Sequence, residues 1–423
     1  MNKTLYPASI LGQVKIPASK SQTIHALLIA LFAKGVSKIG NPLICSDTQA
    51  CIEFCEKLGA KITFSDGNTG NLLILDSSEL TLRDGLEIDC KNSGTTLYFA
   101  TALSCTLGIT IKFTGDEALQ KRPARPLLYS LHDLGADVAC NAESAPYSVR
   151  GPLLGGHTSI RCMTGQYLTA LLLAAPLAKK DITIDVYLLK EKTAVRMTEL
   201  WLEKQNIRYF RDDDMIRYTV YGNQSYKPFE TDINGDFSLA AFFFCAAAIT
   251  ASTITVTGLD ARSSQPDREI LPILQRMGCS VSYEEHSVTL TGPTRLKATD
   301  IDMSGIPDLL PALSVTACFA SGPVKLCNVA TTVVKGSRER TATIAKDINA
   351  LGGQAQVLED SIVIYPITAF DGVENVHSFG DPRVVMAMSL ASLKCKKGLL
   401  IEDCECLDVT FPDFFDKFGS VSM

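Results

Sequence analysis

Lys20, Gln166 and Arg383 each stand at the start of a strongly apolar segment, within two residues of Ser19, Thr164 and Asp381 respectively. Ser, Thr and Asp satisfy the orphan N–H groups of a helix start, so capping explains that half of the pattern. It does not explain the cations, which oppose the partial positive end of the helix dipole. They become favourable when an anion is bound beside them, because backbone N–H groups and ammonium or guanidinium groups then converge on one negative charge. The chemistry this arrangement predicts is recognition of a phosphate or carboxylate.

The elements that must position these residues recur along the chain. "SKSQTIHALLIALFA", "SGTTLYFATALSC", "TGQYLTALLLAAPLA", "DFSLAAFFFCAAAIT", "PDLLPALSVTACFA" and "DPRVVMAMSLASL" are apolar nearly all round, which marks a helix buried on every side. In phase with them run "EKLGAKITF", "HDLGADVAC", "EKQNIRYF", "QRMGCSVSY", "NALGGQAQV" and "DKFGSVSM", spaced about 70 residues apart. Each reads as the last turn of an amphipathic helix, a Gly or Asn at the C-cap, then an alternating strand. Each repeat thus predicts one buried helix, one covering helix and several strands, with three repeats per half.

A chain of 423 residues exceeds one ordinary core and predicts two domains of roughly 200 residues each. A hydrophobic content of 46% with 20% charged residues is that of a globular protein, and the net charge of -6 gives no global reason to bind nucleic acid. Any anion site is therefore local. The 14 cysteines form no C-x-x-C pair, Cys51/Cys55 and Cys404/Cys406 included, so they read as reduced structural thiols and no metal site is expected. No run approaches the roughly 20 uninterrupted apolar residues of a membrane helix, and "MNKTLYPASILGQ" lacks the apolar region of a signal peptide. The expectation is a cytoplasmic protein that engages neither membrane nor nucleic acid.

"PASKSQT", "NSGTT", "GDEALQKRPARPLL", "TGQYLTALLLAAPLA", "INGDFSLAAFFF", "IPDLLPAL", "LASL" after "DPR", and "TFPDFF" occur in this order. Together they resemble the 5-enolpyruvylshikimate-3-phosphate synthase family across essentially the whole chain. The resemblance implies an α/β fold, a two-domain inside-out α/β barrel of six βαβαββ repeats, three per domain. Residues 13–231 would form one domain, the acceptor-binding side, and residues 1–12 with 232–423 the other. Ligands would bind in the cleft and draw the halves together. It also implies transfer of the enolpyruvyl group of phosphoenolpyruvate to the 5-hydroxyl of shikimate 3-phosphate, by a monomer, with no metal or organic cofactor.

By the same resemblance Lys20 would touch both substrates and act as general acid. Ser21 would bind the acceptor, and Gly94 and Thr95 the enolpyruvate. Arg122, Arg340 and Arg383 would clamp the phosphoenolpyruvate anion, and Gln166 would bridge the two substrates. Asp308 would take the proton of the attacking hydroxyl, and Lys335 would contact the acceptor. Thr164, Gly165 and His25 occupy acceptor-side positions where the family has two serines and an arginine.

The departures fall unevenly. Tyr98 replaces an arginine, Glu191-Lys192-Thr193-Ala194 stands for an "SRPY"-like turn, Gly336 or Ser337 for a glutamate, and Val409 for a lysine. The enolpyruvate side is better preserved than the acceptor side. Two other readings follow: an enolpyruvyl transferase with a different hydroxyl acceptor, or a catalytically weakened anion-binding homologue. His25 is either a pocket wall or a weakened anion contact, and residues 335–340 admit two registers.

Overall fold

The computed structural model describes residues 1–67, 70–140, 143–329, 337–372 and 375–423. The chain divides into two compact units, Ala18–Ile233 and Met1–Pro17 with Asn234–Met423.

In the first unit, three four-stranded sheets share one connectivity. In each, one parallel pair is extended by two antiparallel strands, as where Leu86–Asp89 runs parallel to Thr110–Thr114 and Tyr147–Arg150 and Asp137–Cys140 complete the sheet. The strand Glu230–Asp232, from the far end of the unit, closes another of these sheets by pairing in parallel with Val36–Gly40.

Two sheets of the second unit repeat that order. The third joins Lys3–Leu5 antiparallel, and Val376–His377 parallel, to Leu399–Glu402. Gly12–Lys15 pairs in parallel with Thr253–Thr257, and the Ile16 amide continues the ladder to Thr257 O at 3.1 Å. Residues 13–17 therefore belong to this unit, and the first crossing lies after Pro17 rather than after Gly12. Backbone pairing with a strand some 240 residues away outweighs nearness in sequence.

The six apolar segments are helices at the cores. Lys20–Leu31 is buried from Thr23 to Leu31 without interruption, and Phe237–Thr250 from Phe237 to Ile249. Neither has a polar face, so each must be covered all round. In the second unit, for example, Phe243 packs among Phe411, Phe414 and Phe418. Among the described residues no helix is long and apolar enough to cross a membrane.

Candidate active site

In the Ala18–Ile233 unit, the helix starts are tied by side chains into one constellation. Lys20 opens its helix after Ser19, and its Nζ donates to Oδ2 of Asp47 at 2.7 Å. Asp47 lies in the first turn of Ser46–Lys57 and is buried. Its backbone carbonyl accepts from Thr96 Oγ1 at 3.3 Å, which brings in the helix Gly94–Ser104, capped by Ser93. Thr95 Oγ1 accepts from Nε2 of Gln166 at 2.7 Å, joining the helix Gly165–Ala174. Arg122 arrives from the turn after the short helix Glu117–Gln120, and its Nη2 donates to Oδ1 of Asn92 at 3.0 Å. A Cβ at Gly94 would fall 2.7 Å from Nη1 of Arg122, so the missing side chain is what admits the guanidinium.

Ser21 follows Lys20 in the first turn of the same helix. Its carbonyl lies 2.7 Å from Nδ1 of His25, and because a carbonyl only accepts, that nitrogen carries the proton. Nε2 is then the acceptor, 3.0 Å from Thr198 Oγ1, which in turn accepts from Thr169 at 2.9 Å. His25 is 1% exposed. Burial pushes its pKa down to about 4, against the opposing pull of the Ser21 carbonyl, so the ring is neutral. Both ring nitrogens of His25, expected on the acceptor side, are thus engaged inside the unit.

Thr164 and Gly165, also expected on the acceptor, face the chain's own carboxylate. Oε2 of Glu191 accepts from Thr164 Oγ1 at 2.9 Å and from the Gly165 amide at 3.0 Å. Glu191 is buried and adopts a left-handed backbone, φ 60° and ψ 47°. This carboxylate satisfies a helix start where the resemblance implied a bound anion.

The Met1–Pro17 and Asn234–Met423 unit carries a second constellation around Asp308. Oδ1 of Asp308 lies 3.3 Å from Nη1 of Arg340, and Oδ2 2.9 Å from Nη2 of Arg383. Nε of Arg340 also donates to Oδ2 of Asp381 at 2.6 Å. Asp381 caps the helix Pro382–Ser392 through the amide of Arg383 at 2.9 Å. Ser238 Oγ lies 3.4 Å from Nη2 of Arg383. Burial disfavours the Arg340 charge, but the Asp381 and Asp308 carboxylates outweigh it, and the guanidinium pKa is raised. Nε of Arg383 is buried without a hydrogen-bond partner among the described residues. Two guanidinium groups and two carboxylates are thus gathered in one place, with one guanidinium donor left open among the described residues. Lys335 lies outside the described residues.

Asp47 and Asn92 were not singled out from the sequence, and Asp381 was read there only as a helix cap. Asp47 and Asp381 sit at helix starts, where an aspartate is already explained by the helix dipole and by capping.

The family model for EPSP synthase (3-phosphoshikimate 1-carboxyvinyltransferase) matches residues 6–418. A 3-phosphoshikimate 1-carboxyvinyltransferase of Acetivibrio thermocellus is 38% identical over 412 residues, covering 95% of this chain and 94% of that protein. One of Ruminiclostridium cellulolyticum is 34% identical over 415 residues, covering 98% and 96%. The solved EPSP synthase of Acinetobacter baumannii shares the fold, with a TM-score of 0.84, 20% identity, and coverage of 100% of this chain and 98% of that one. With matching motifs, a shared fold and full-length similarity, the chain belongs to the EPSP synthase (3-phosphoshikimate 1-carboxyvinyltransferase) family.

Proposed function

We propose that the protein transfers the carboxyvinyl group of phosphoenolpyruvate to the 5-hydroxyl of shikimate 3-phosphate and releases inorganic phosphate, a step of the shikimate pathway toward aromatic amino acids. Family membership supports this reading. The structural observation that carries it is Asp308 held between Arg340 and Arg383: a carboxylate able to take a proton, set among cations able to hold an anion.

The chemistry is addition followed by elimination. Lys20 delivers a proton to C3 of phosphoenolpyruvate while the acceptor oxygen attacks C2 and passes its proton to Asp308. Loss of a C3 proton then re-forms the double bond and expels phosphate. Arg122, Arg340 and Arg383 hold the phosphoenolpyruvate anion, where bidentate guanidinium groups suit carboxylate and phosphate. Gly94 and Thr95 hold the enolpyruvate, Gln166 bridges the substrates, and Ser21 and Lys335 contact the acceptor.

On this reading the two compact units are the two domains of three βαβαββ repeats each, an inside-out α/β barrel, and the protein is a cytoplasmic monomer. The connectivity that recurs among the described four-stranded sheets supports the repeat architecture. Phosphate release from phosphoenolpyruvate, followed with and without shikimate 3-phosphate and with Lys20→Ala as control, tests the activity. Release should require the acceptor and be lost in the variant; acceptor-independent release, or none, overturns the proposal.

A further inference from the structure

We infer that Tyr98 and Tyr167 are positioning residues for Arg122, acting jointly through the carbonyl oxygen of Pro123. Both phenols donate to that one atom, Tyr98 at 3.0 Å and Tyr167 in a shorter contact. The rings are fully buried and meet edge to face, with centroids 5.1 Å apart. Proline has no N–H, so this carbonyl is the only backbone hydrogen-bonding group of Pro123, and the two phenols fill both of its lone pairs. Burial pushes the Tyr167 pKa upward, which keeps that phenol protonated as a donor.

The phenols come from different helices. Tyr98 lies one turn into Gly94–Ser104, and Tyr167 is in the first turn of Gly165–Ala174. Gly94 and Thr95, and Gln166, lie in the first turns of these helices, which are themselves joined at 2.7 Å between Gln166 Nε2 and Thr95 Oγ1. Arg122 is the residue immediately before the shared carbonyl. On one side of it the Arg122 amide is tied to Leu119 O at 3.0 Å, and on the other the Ala124 amide is tied to Glu143 O at 2.7 Å. Between these ties lies Pro123, and there the two phenols hold the chain. The placement of the guanidinium against Asn92 and Gly94 is thereby referred to both helices at once. Tyr98, a departure from the family's arginine, thus has a use of its own in this chain.

The inference rests on the proposed contact of Arg122 with phosphoenolpyruvate. Its test compares Tyr98→Phe, Tyr167→Phe and the double variant with the parent, with Arg122→Ala as control. The readouts are phosphoenolpyruvate binding by calorimetry and KM for each substrate. Either single variant leaves one donor on the carbonyl, so each should change phosphoenolpyruvate affinity by about twofold, and the double variant by about tenfold or more. The KM for the acceptor should stay near the parental value. An excess of the double effect over the product of the singles is the signature of a shared carbonyl.

A double variant that binds phosphoenolpyruvate like the parent, while Arg122→Ala has lost it, overturns the inference alone. Equal losses for both substrates overturn it as well, since they indicate general packing. An Arg122→Ala protein with parental affinity overturns the assignment of Arg122 and the inference with it. Should the double variant not fold, the single variants decide: a selective rise in the phosphoenolpyruvate constant supports the joint, and no rise in either refutes it.

Discussion

Nζ of Lys20 lies 2.7 Å from Oδ2 of Asp47, whose other oxygen, Oδ1, is buried with no hydrogen-bond partner among the described residues. A buried carboxylate oxygen lacking a donor is costly, so this carboxylate favours a conformation in which the ammonium stays close. Asp47→Asn keeps the shape and removes the charge. Its kcat should fall by about tenfold or more, against a loss of about 10²–10⁴ for Lys20→Ala. Phosphate release measures both; a parental kcat in Asp47→Asn would show that the ammonium is held by other groups.

Asp308 separates the charges of Arg340 and Arg383, whose side chains are only 10% and 15% exposed. Asp308→Ala leaves these cations without their common carboxylate and should cost about 3 kcal/mol of stability. Inorganic phosphate should recover part of that loss, because an anion bound to the folded state replaces the missing charge. Melting curves with and without phosphate check this, and a variant as stable as the parent would show that the two pairs contribute little. Turnover by Asp308→Asn should fall by about 10²–10⁴.

Glu191 places a carboxylate on the hydroxyl of Thr164 and the amide of Gly165. If those groups serve a phosphorylated acceptor, Glu191 competes with it. Glu191→Ser should lower the KM for shikimate 3-phosphate by about tenfold and leave that for phosphoenolpyruvate unchanged. A higher acceptor KM in the variant would mean that the carboxylate supports binding instead.

His25 makes stability depend on pH. Its folded pKa, about 4, lies below the unfolded value of 6.5. Above pH 6.5 the ring is neutral in both states and contributes nothing to the slope. Between 6.5 and 4 only the unfolded chain takes up the proton, so stability falls as pH falls; below 4 both states are protonated and the loss levels off. The full effect is about 3 kcal/mol. Urea unfolding across this window should show a shallower dependence for His25→Gln, and identical slopes would place the proton elsewhere.

The six buried helices were legible because a segment without a polar face has only one place to go. The joint at Leu351-Gly352 was legible for a related reason, since a glycine there takes φ 86°. Arg340, expected on the phosphoenolpyruvate side, meets Asp308 and Asp381, partners that only the folded chain shows. The sequence could not reveal that His25 turns inward, because its second partner, Thr198, lies 173 residues away. It could not show what Glu191 faces either, since that depends on a left-handed turn and on the start of a helix 26 residues earlier.

By itself, then, the sequence determined which segments are buried, where helices begin and end, and which cations stand at their starts, because periodicity and capping are local properties of the chain. Only the tertiary structure decided which carboxylate each cation meets and which expected contacts are turned inward. Those outcomes depend on distances between helix starts far apart in sequence, and these are set by packing and strand pairing rather than by any one segment.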